Sequence, residues 1–273
     1  MTEDGRNEQG EQARGGPSEY VLTQDFGSEQ ERLQLLEATA DEVSIAAIRA
    51  AGFAPGWRCL EVGAGSGSIA SWLAAAGEDP ARVVATDLDV GLLAPLEQEG
   101  VQVRVHDVVA DDFPSGSFDL IHARFVLEHL AAREEVIERV AEWLSPDGVL
   151  VLVDGASFSA INGPNRSYRQ AMQAWVDVLA LTGTDYQWPR TFPRPLQRHG
   201  YRDVGVLTSV QVLQGGSPIA RLMSLTLESL RDRIIDAGLL SSSAIDDARR
   251  LLADPEFWDL GPTWMAAWGR RPA

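Results

Sequence analysis

The run "CLEVGAGSGSIASWLAAAG", Cys59 to Gly77, constrains the fold more than any other stretch of the chain. An apolar, strand-like segment ends at Glu61, three glycines then alternate with small residues, and a helix-forming segment follows. Backbone amides at such a strand-to-helix turn accept a close, polar ligand, and glycine lets that ligand approach. A dinucleotide turn has the pattern G-x-G-x-x-G. Here the glycines are Gly63, Gly65 and Gly67, separated by Ala64 and Ser66, and Ser68 stands next. The carboxylate of Glu61 repels a pyrophosphate and suits an amine. By itself the turn admits a dinucleotide, a sulfonium nucleoside or no ligand.

The segments that follow repeat the same unit. Apolar runs at 58–63, 82–89, 101–107, 118–123 and 148–154 predict strands, and the first two read as buried, as parallel strands covered on both faces do. Helices fit between them at 68–76, 90–99 and 131–144. In the last, Val136, Ile137, Val140 and Leu144 share a face, with Glu135 and Arg139 spaced to pair four apart. Regular strand–helix alternation predicts an α/β fold, a doubly wound, mostly parallel sheet.

Residues 1–17 are polar and glycine-rich, which predicts a disordered tail. A capping box, Ser28 with Glu31, opens a helix whose apolar face repeats through Leu33, Leu36, Ala40, Val43 and Ala47. After Asp154 come a loop and helix, a proline- and aromatic-rich stretch, an alternating strand at 201–213, two amphipathic helices broken at Gly238–Ser243, and a last strand in "WMAAWGRRP". The expected organisation is a tail over 1–17, a helical segment over 18–56, a core over 57–154, an insertion over 155–200, and strands with a helical insertion over 201–273 that complete the same domain.

Composition removes several functions. The formal net charge is −17, from 40 acidic and 23 basic residues, a field that repels phosphate backbones and anionic lipids, so neither nucleic acid nor a membrane is an expected partner. Every basic residue is arginine, which excludes a Schiff-base lysine and the P-loop lysine. The single cysteine, Cys59, lies in an apolar run and reads as a small buried hydrophobe. There is no secretory leader and no apolar run of membrane-spanning length, so a cytoplasmic location is expected. The histidines show no H-x-x-H or H-x-x-x-H spacing, and no metal is predicted.

Two further acids stand where a nucleoside needs them. Asp87, twenty residues past Gly67, ends the second strand, where one carboxylate can accept both protons of a ribose cis-diol; the plain alternative is a surface acid. Asp107 ends the third strand with His106 and either accepts from an adenine amino group or forms a turn. Together "LEVGAGSGS", "ATDLD", "VHDVVADDFPSGSFDLIHARFVLEHL" and "VAEWLSPDGVLVLVD" resemble the motifs of class I S-adenosylmethionine-dependent methyltransferases. "FDLIHARFVLEHL" and "MAAWGRRP" resemble its bacterial small-molecule, natural-product group. The one departure is "SPDG", where the family usually has two glycines after proline.

The resemblance covers about residues 58–154. It implies a Rossmann-like seven-stranded sheet with extra helices as a substrate lid, and S-adenosyl-L-methionine as cofactor. It also implies a site of Glu61, Gly63, Ala64, Gly65, Gly67 and Val108, with Asp87 on the ribose, Leu88 against adenine, and Asp107 on its amino group. The Arg124 backbone would face the cofactor, and Tyr20 would reach its amino-acid end as part of the lid. His129, in "LEHL", is the candidate base, its alternative a packing role; Glu128 either orients it or faces solvent, and His106 and His122 read as structural.

Phe158, Tyr168, Trp175, Tyr186, Trp188 and Phe192 cluster in the insertion, either as the wall of a site for a small apolar or aromatic molecule or as the core of an added layer. A cyclase using the same cofactor, an NAD-dependent oxidoreductase and a non-catalytic binding protein remain as alternatives. Nothing in the sequence fixes the oligomeric state, and a homodimer stays open.

Overall fold

A computed structural model describes residues 26–273, with side chains from Gln30 onward; the expected tail over 1–17, Tyr20 and the Ser28 side chain lie outside the described residues. Seven strands form one sheet. They are β1 (Cys59–Val62), β2 (Val83–Asp87), β3 (Gln102–Val105), β4 (Phe118–Arg124), β5 (Leu144–Ala156), β6 (Arg202–Gln214) and β7 (Trp258–Arg270). Their order is β3-β2-β1-β4-β5-β7-β6. β1 to β5 pair in parallel, and β7 runs antiparallel between β5 and β6. The chain winds outward from β1 to β3 and then restarts beside β1 with β4. The carboxyl ends of β1 and β4 therefore flank a topological switch point, where open α/β sheets bind ligands.

Nine α-helices stand among the described residues: α1 (Phe26–Ala50), α2 (Ser68–Gly77), α3 (Ala94–Gln98), α4 (Arg133–Trp143), α5 (Arg166–Ala180), α6 (Arg194–Arg198), α7 (Pro218–Ser229), α8 (Arg231–Asp236) and α9 (Ser242–Ala253). Two apolar cores lie on the two faces of the sheet. One gathers α1, α2, α5 and α7–α9 around Ala40, Ile48, Leu73, Val151 and Met172. The other sets Val136, Ile137 and Val140 of α4 against Leu60, Ile121 and Leu150, each such side chain contributing roughly 1.5–3 kcal/mol when taken from water.

Four local expectations are revised. α1 starts at Phe26, before the Ser28 of the expected capping box. The 217–253 stretch holds three helices, because a break at the fully buried Leu230 precedes the one at Gly238. There Arg231 ties α7 to α9 through Glu228 (2.7 Å) and Asp246 (2.6 Å). The last strand begins at Trp258 because it pairs along the whole of the thirteen-residue β6. Arg139 turns to Asp112 on the preceding loop, at 3.9 Å, where the spacing had suggested Glu135.

Candidate active site

The loop after β1 answers the question its glycines raise, and the answer differs at each one. Gly63, Gly65 and Gly67 all have positive φ (65°, 60° and 91°), a region where a Cβ is strained. A Cβ on Gly67 would stand 2.4 Å from Leu96 Cδ1 and 3.0 Å from Leu93 Cδ2, and one on Gly63 would stand 2.4 Å from Val126 Cγ2. At those two positions the protein's own packing excludes a side chain. At Gly65 the nearest atom to such a Cβ is Leu33 Cδ2, 3.9 Å away. Of the three, only this middle glycine is free of close packing against the protein's own side chains.

Asp87 holds the loop in place. Its Oδ2 accepts the Gly65 N–H (2.9 Å), and its Oδ1 accepts from Leu88 (2.7 Å) and Asp89 (3.3 Å). Burial pushes its carboxyl above the usual range, against the three amides that favour the charged form. Of about four acceptor positions on a carboxylate, three are taken. The expected double contact with a ribose diol thus requires displacing the long Asp89 bond; one hydroxyl fits without it.

Beside Asp87, Leu88 is 62% exposed, an apolar side chain at a strand end with an open face. Asp107 follows β3, the neighbour of β2; it accepts from Val109 (2.9 Å), and its own amide donates to Asp111. Val108 is buried in the core below. His106 stacks on Phe113 with ring centroids 4.5 Å apart, in keeping with a structural role.

One expected contact takes a different form. Glu61 is buried at 2% exposure, and its Oε2 meets His122 Nδ1, directly opposite on β4, at 2.8 Å. It underlies the loop and faces no solvent. Arg124 sends its guanidinium to Asp41 of α1 (2.5 Å) and to Ser68 Oγ (3.1 Å). Sequence reasoning missed α1's acids: Asp41 also accepts from Ser68 (2.9 Å), at the positive end of α2, and Glu37 bonds Ser66 in the glycine loop. The signal for them was faint, since Glu37 and Asp41 are four apart on a helix otherwise legible only by its apolar face.

Past β4 lies a cavity of about 50 Å³, room for one or two waters. Phe125, Trp175, Tyr186 and Trp264 supply aromatic walls, and Arg32, Glu128 and His129 polar ones. Of the six aromatics expected here, only Trp175 and Tyr186 line it. Trp188 and Phe192 pack edge-to-face on each other (4.8 Å) in the opposite core, and Tyr168 packs on Phe257 (5.5 Å). Phe158 lies under Arg190.

His129 Nδ1 meets Thr184 Oγ1 at 3.0 Å, and its Nε2 stands 3.5 Å from Glu128 Oε1. Burial, with the charges of Arg32 and Arg133, pushes its pKa down to about 4. Glu128 is turned inward and accepts the Gly155 N–H at 2.8 Å. Burial first, and then the adjacent Asp154, push the Glu128 carboxyl well up, and burial does the same to Asp154. Two buried carboxyls with raised pKa thus lie behind a neutral imidazole. Among the described residues no cluster of three or more metal-ligating side chains comes together, and no helix is long and apolar enough to cross a membrane.

A family model described as a methyltransferase domain matches residues 29–206. Methyltransferase str3 of Strobilurus tenacellus is 34% identical over 111 residues, 40% of this chain and 39% of that protein, so the chain spans well under half of that relative's length. Phosphoethanolamine N-methyltransferase 2 of Haemonchus contortus, solved with phosphomonomethylethanolamine and S-adenosylhomocysteine, shares the fold. Its TM-score is 0.56 at 17% identity over 90% of this chain and 58% of that one. The 4+2 cyclase SpnF shares it too, with a TM-score of 0.51 at 17% identity over 86% of this chain and 81% of that one.

Proposed function

Since the chain belongs to the methyltransferase-domain family, we propose that it binds S-adenosyl-L-methionine and transfers its methyl group to a small, mostly apolar or aromatic molecule of secondary metabolism. The observation that carries the reading is the uncrowded Gly65, fixed by Asp87 at the switch point of the sheet. The residues present fit the cofactor. The 63–67 loop would receive its amino-acid end with Glu37 and Asp41 near the ammonium, and Glu61 behind the loop. Asp87 would take the ribose, Leu88 an adenine face, and Asp107 the amino group.

When bound, the cofactor supplies an electrophilic methyl on a positively charged sulfur. The chain's part is to align the acceptor and exclude water. An imidazole with a pKa of about 4 is neutral at physiological pH and a weak base. In this reading His129 orients the acceptor's proton and leaves its removal to an acceptor that ionises readily.

Calorimetry with S-adenosylhomocysteine tests the cofactor: Asp87→Ala should weaken binding about 10- to 100-fold, the worth of a charge-assisted hydrogen bond, and equal affinity in that variant would refute the assignment. The apolar cavity also supports a second reading, a cyclase that retains the cofactor, as the fold is shared with SpnF. Product mass decides between them: a product heavier by one methylene with release of S-adenosylhomocysteine favours transfer, and an isomer of the substrate favours cyclisation. Sedimentation at micromolar concentration tests the homodimer.

A further inference from the structure

The sheet has two edges, and they are built differently. β3 closes one with four residues, among them Gln102 and Arg104, and a short edge that carries a charge resists pairing with another strand. β6 closes the other with thirteen residues and, among the described residues, has one neighbouring strand, β7. From Val204 to Gln214 it holds no charge and no proline, although 23% of the chain is charged. On one face its Leu207 and Leu213 pack into the core that gathers α1 and α7. On the other face Val206 (51% exposed), Val210 (41%) and Val212 (65%) stand open. Thr208 is exposed between them, and Leu260 of β7 is exposed opposite Val212. A long edge of β-forming residues with no charge to guard it is a template for another strand.

The order of residues along that edge points to the strand that fits. Val204, Val206, Thr208, Val210 and Val212 read the same in both directions about Thr208. An antiparallel copy of β6, related by a two-fold axis at Thr208, sets Val204 opposite Val212, Val206 opposite Val210, and Thr208 opposite its own counterpart. Residues directly opposite share a face, where β-branched side chains pack and a Thr–Thr pair hydrogen-bonds. The overlap from 204 to 212 gives about eight to ten backbone hydrogen bonds, close to the roughly ten of a typical interface. The ends also match in charge. The start of β6 gathers Arg202, Arg270 and Arg271 against Asp147 and Asp203. Beyond its end Asp254 and Glu256 are exposed, next to Pro255, whose carbonyl accepts from Gln214 (3.1 Å). Antiparallel pairing brings the arginine end of each copy to the acidic end of the other.

We propose that β6 is a dimer interface: two copies of this chain join edge to edge across a two-fold axis at Thr208, and their sheets become one continuous sheet. The inference does not depend on the reaction the chain catalyses. The paired edge is narrow, at the low end of specific interfaces, so the expected dissociation constant is on the order of micromolar.

Sedimentation velocity and amide hydrogen exchange on the full chain, at about 1 µM and about 100 µM, test it. The expected result is a shift from monomer to dimer across that range, with the outward-facing amides of β6 exchanging several-fold more slowly at the higher concentration. Thr208→Glu and Thr208→Arg each place like charges directly opposite in the dimer, and each should raise the dissociation constant about tenfold. An equimolar mixture of the two variants places opposite charges there and should recover the dimer, a readout that misfolding of either would not give. A chain that stays monomeric at about 100 µM, a dimer whose β6 amides exchange alike at both concentrations, or a mixture no more dimeric than its parts would overturn the proposal. A monomer with those amides already protected would overturn it too, and would assign the edge to residues 1–25 of the same chain.

Discussion

At the scale of single residues, glycines of the same motif do different work. Gly67→Ala places a Cβ against Leu93 and Leu96 and holds it at positive φ, so it should cost about 2–4 kcal/mol of stability. Gly65→Ala carries the backbone strain alone, about 1–2 kcal/mol, but should weaken S-adenosylhomocysteine binding more than Gly67→Ala does relative to its stability cost. Urea unfolding and calorimetry on the two variants read both quantities. His129 is the second case. Its folded pKa of about 4 lies below the ordinary imidazole value of 6.5, so the unfolded chain binds more protons between those values, and stability contributed by this residue falls as pH drops from 6.5 towards 4. Relative to His129→Gln, the native chain should lose about 2 kcal/mol between pH 7.5 and pH 5. Parallel urea curves at the two pH values measure it, and the comparison cancels the opposite slope contributed by Glu128 and Asp154.

At the scale of elements, α1 is more than a cover. Its apolar face packs into the core through Ala40, Val43 and Ala47, all buried. Its polar side reaches the glycine loop and α2 through Glu37 and Asp41, and its Thr39 carbonyl accepts from Trp264 of β7 at 3.0 Å. Asp41→Ala leaves Arg124, whose side chain is 9% exposed, without its carboxylate partner. The expected loss is on the order of 1–3 kcal/mol, with faster amide exchange in α1 and weaker cofactor binding. Unchanged exchange in α1 would mean that the apolar face alone holds the helix. The periodicity of that face made the helix legible, but nothing in its spacing said which loop the polar side would meet.

At the scale of the whole molecule, the glycine loop and the cavity share their boundaries. α1 touches the loop and lines the cavity, and the segment after β4 carries Val126, which closes on Gly63, next to Glu128 and His129. A ligand that binds only the folded chain should therefore stabilise all of it. At 100 times its dissociation constant, S-adenosylhomocysteine should add about 2.7 kcal/mol and raise Tm by roughly 5–10 °C for a chain of this size. A thermal melt with and without the compound checks it.

What the sequence by itself determined is local and periodic: strands alternating with helices, the positive-φ loop, and acids at the ends of successive strands. These follow from backbone sterics and burial pattern, which act over a few residues. What only the tertiary structure decided is which side chains meet across the chain. Glu61 turned to His122 because parallel register sets them side by side, Arg124 found its acid 83 positions earlier in α1, and Trp175 reached the cavity while Trp188 went to the other face of the sheet. Such pairings depend on how layers stack over the sheet, and no spacing within a segment records that.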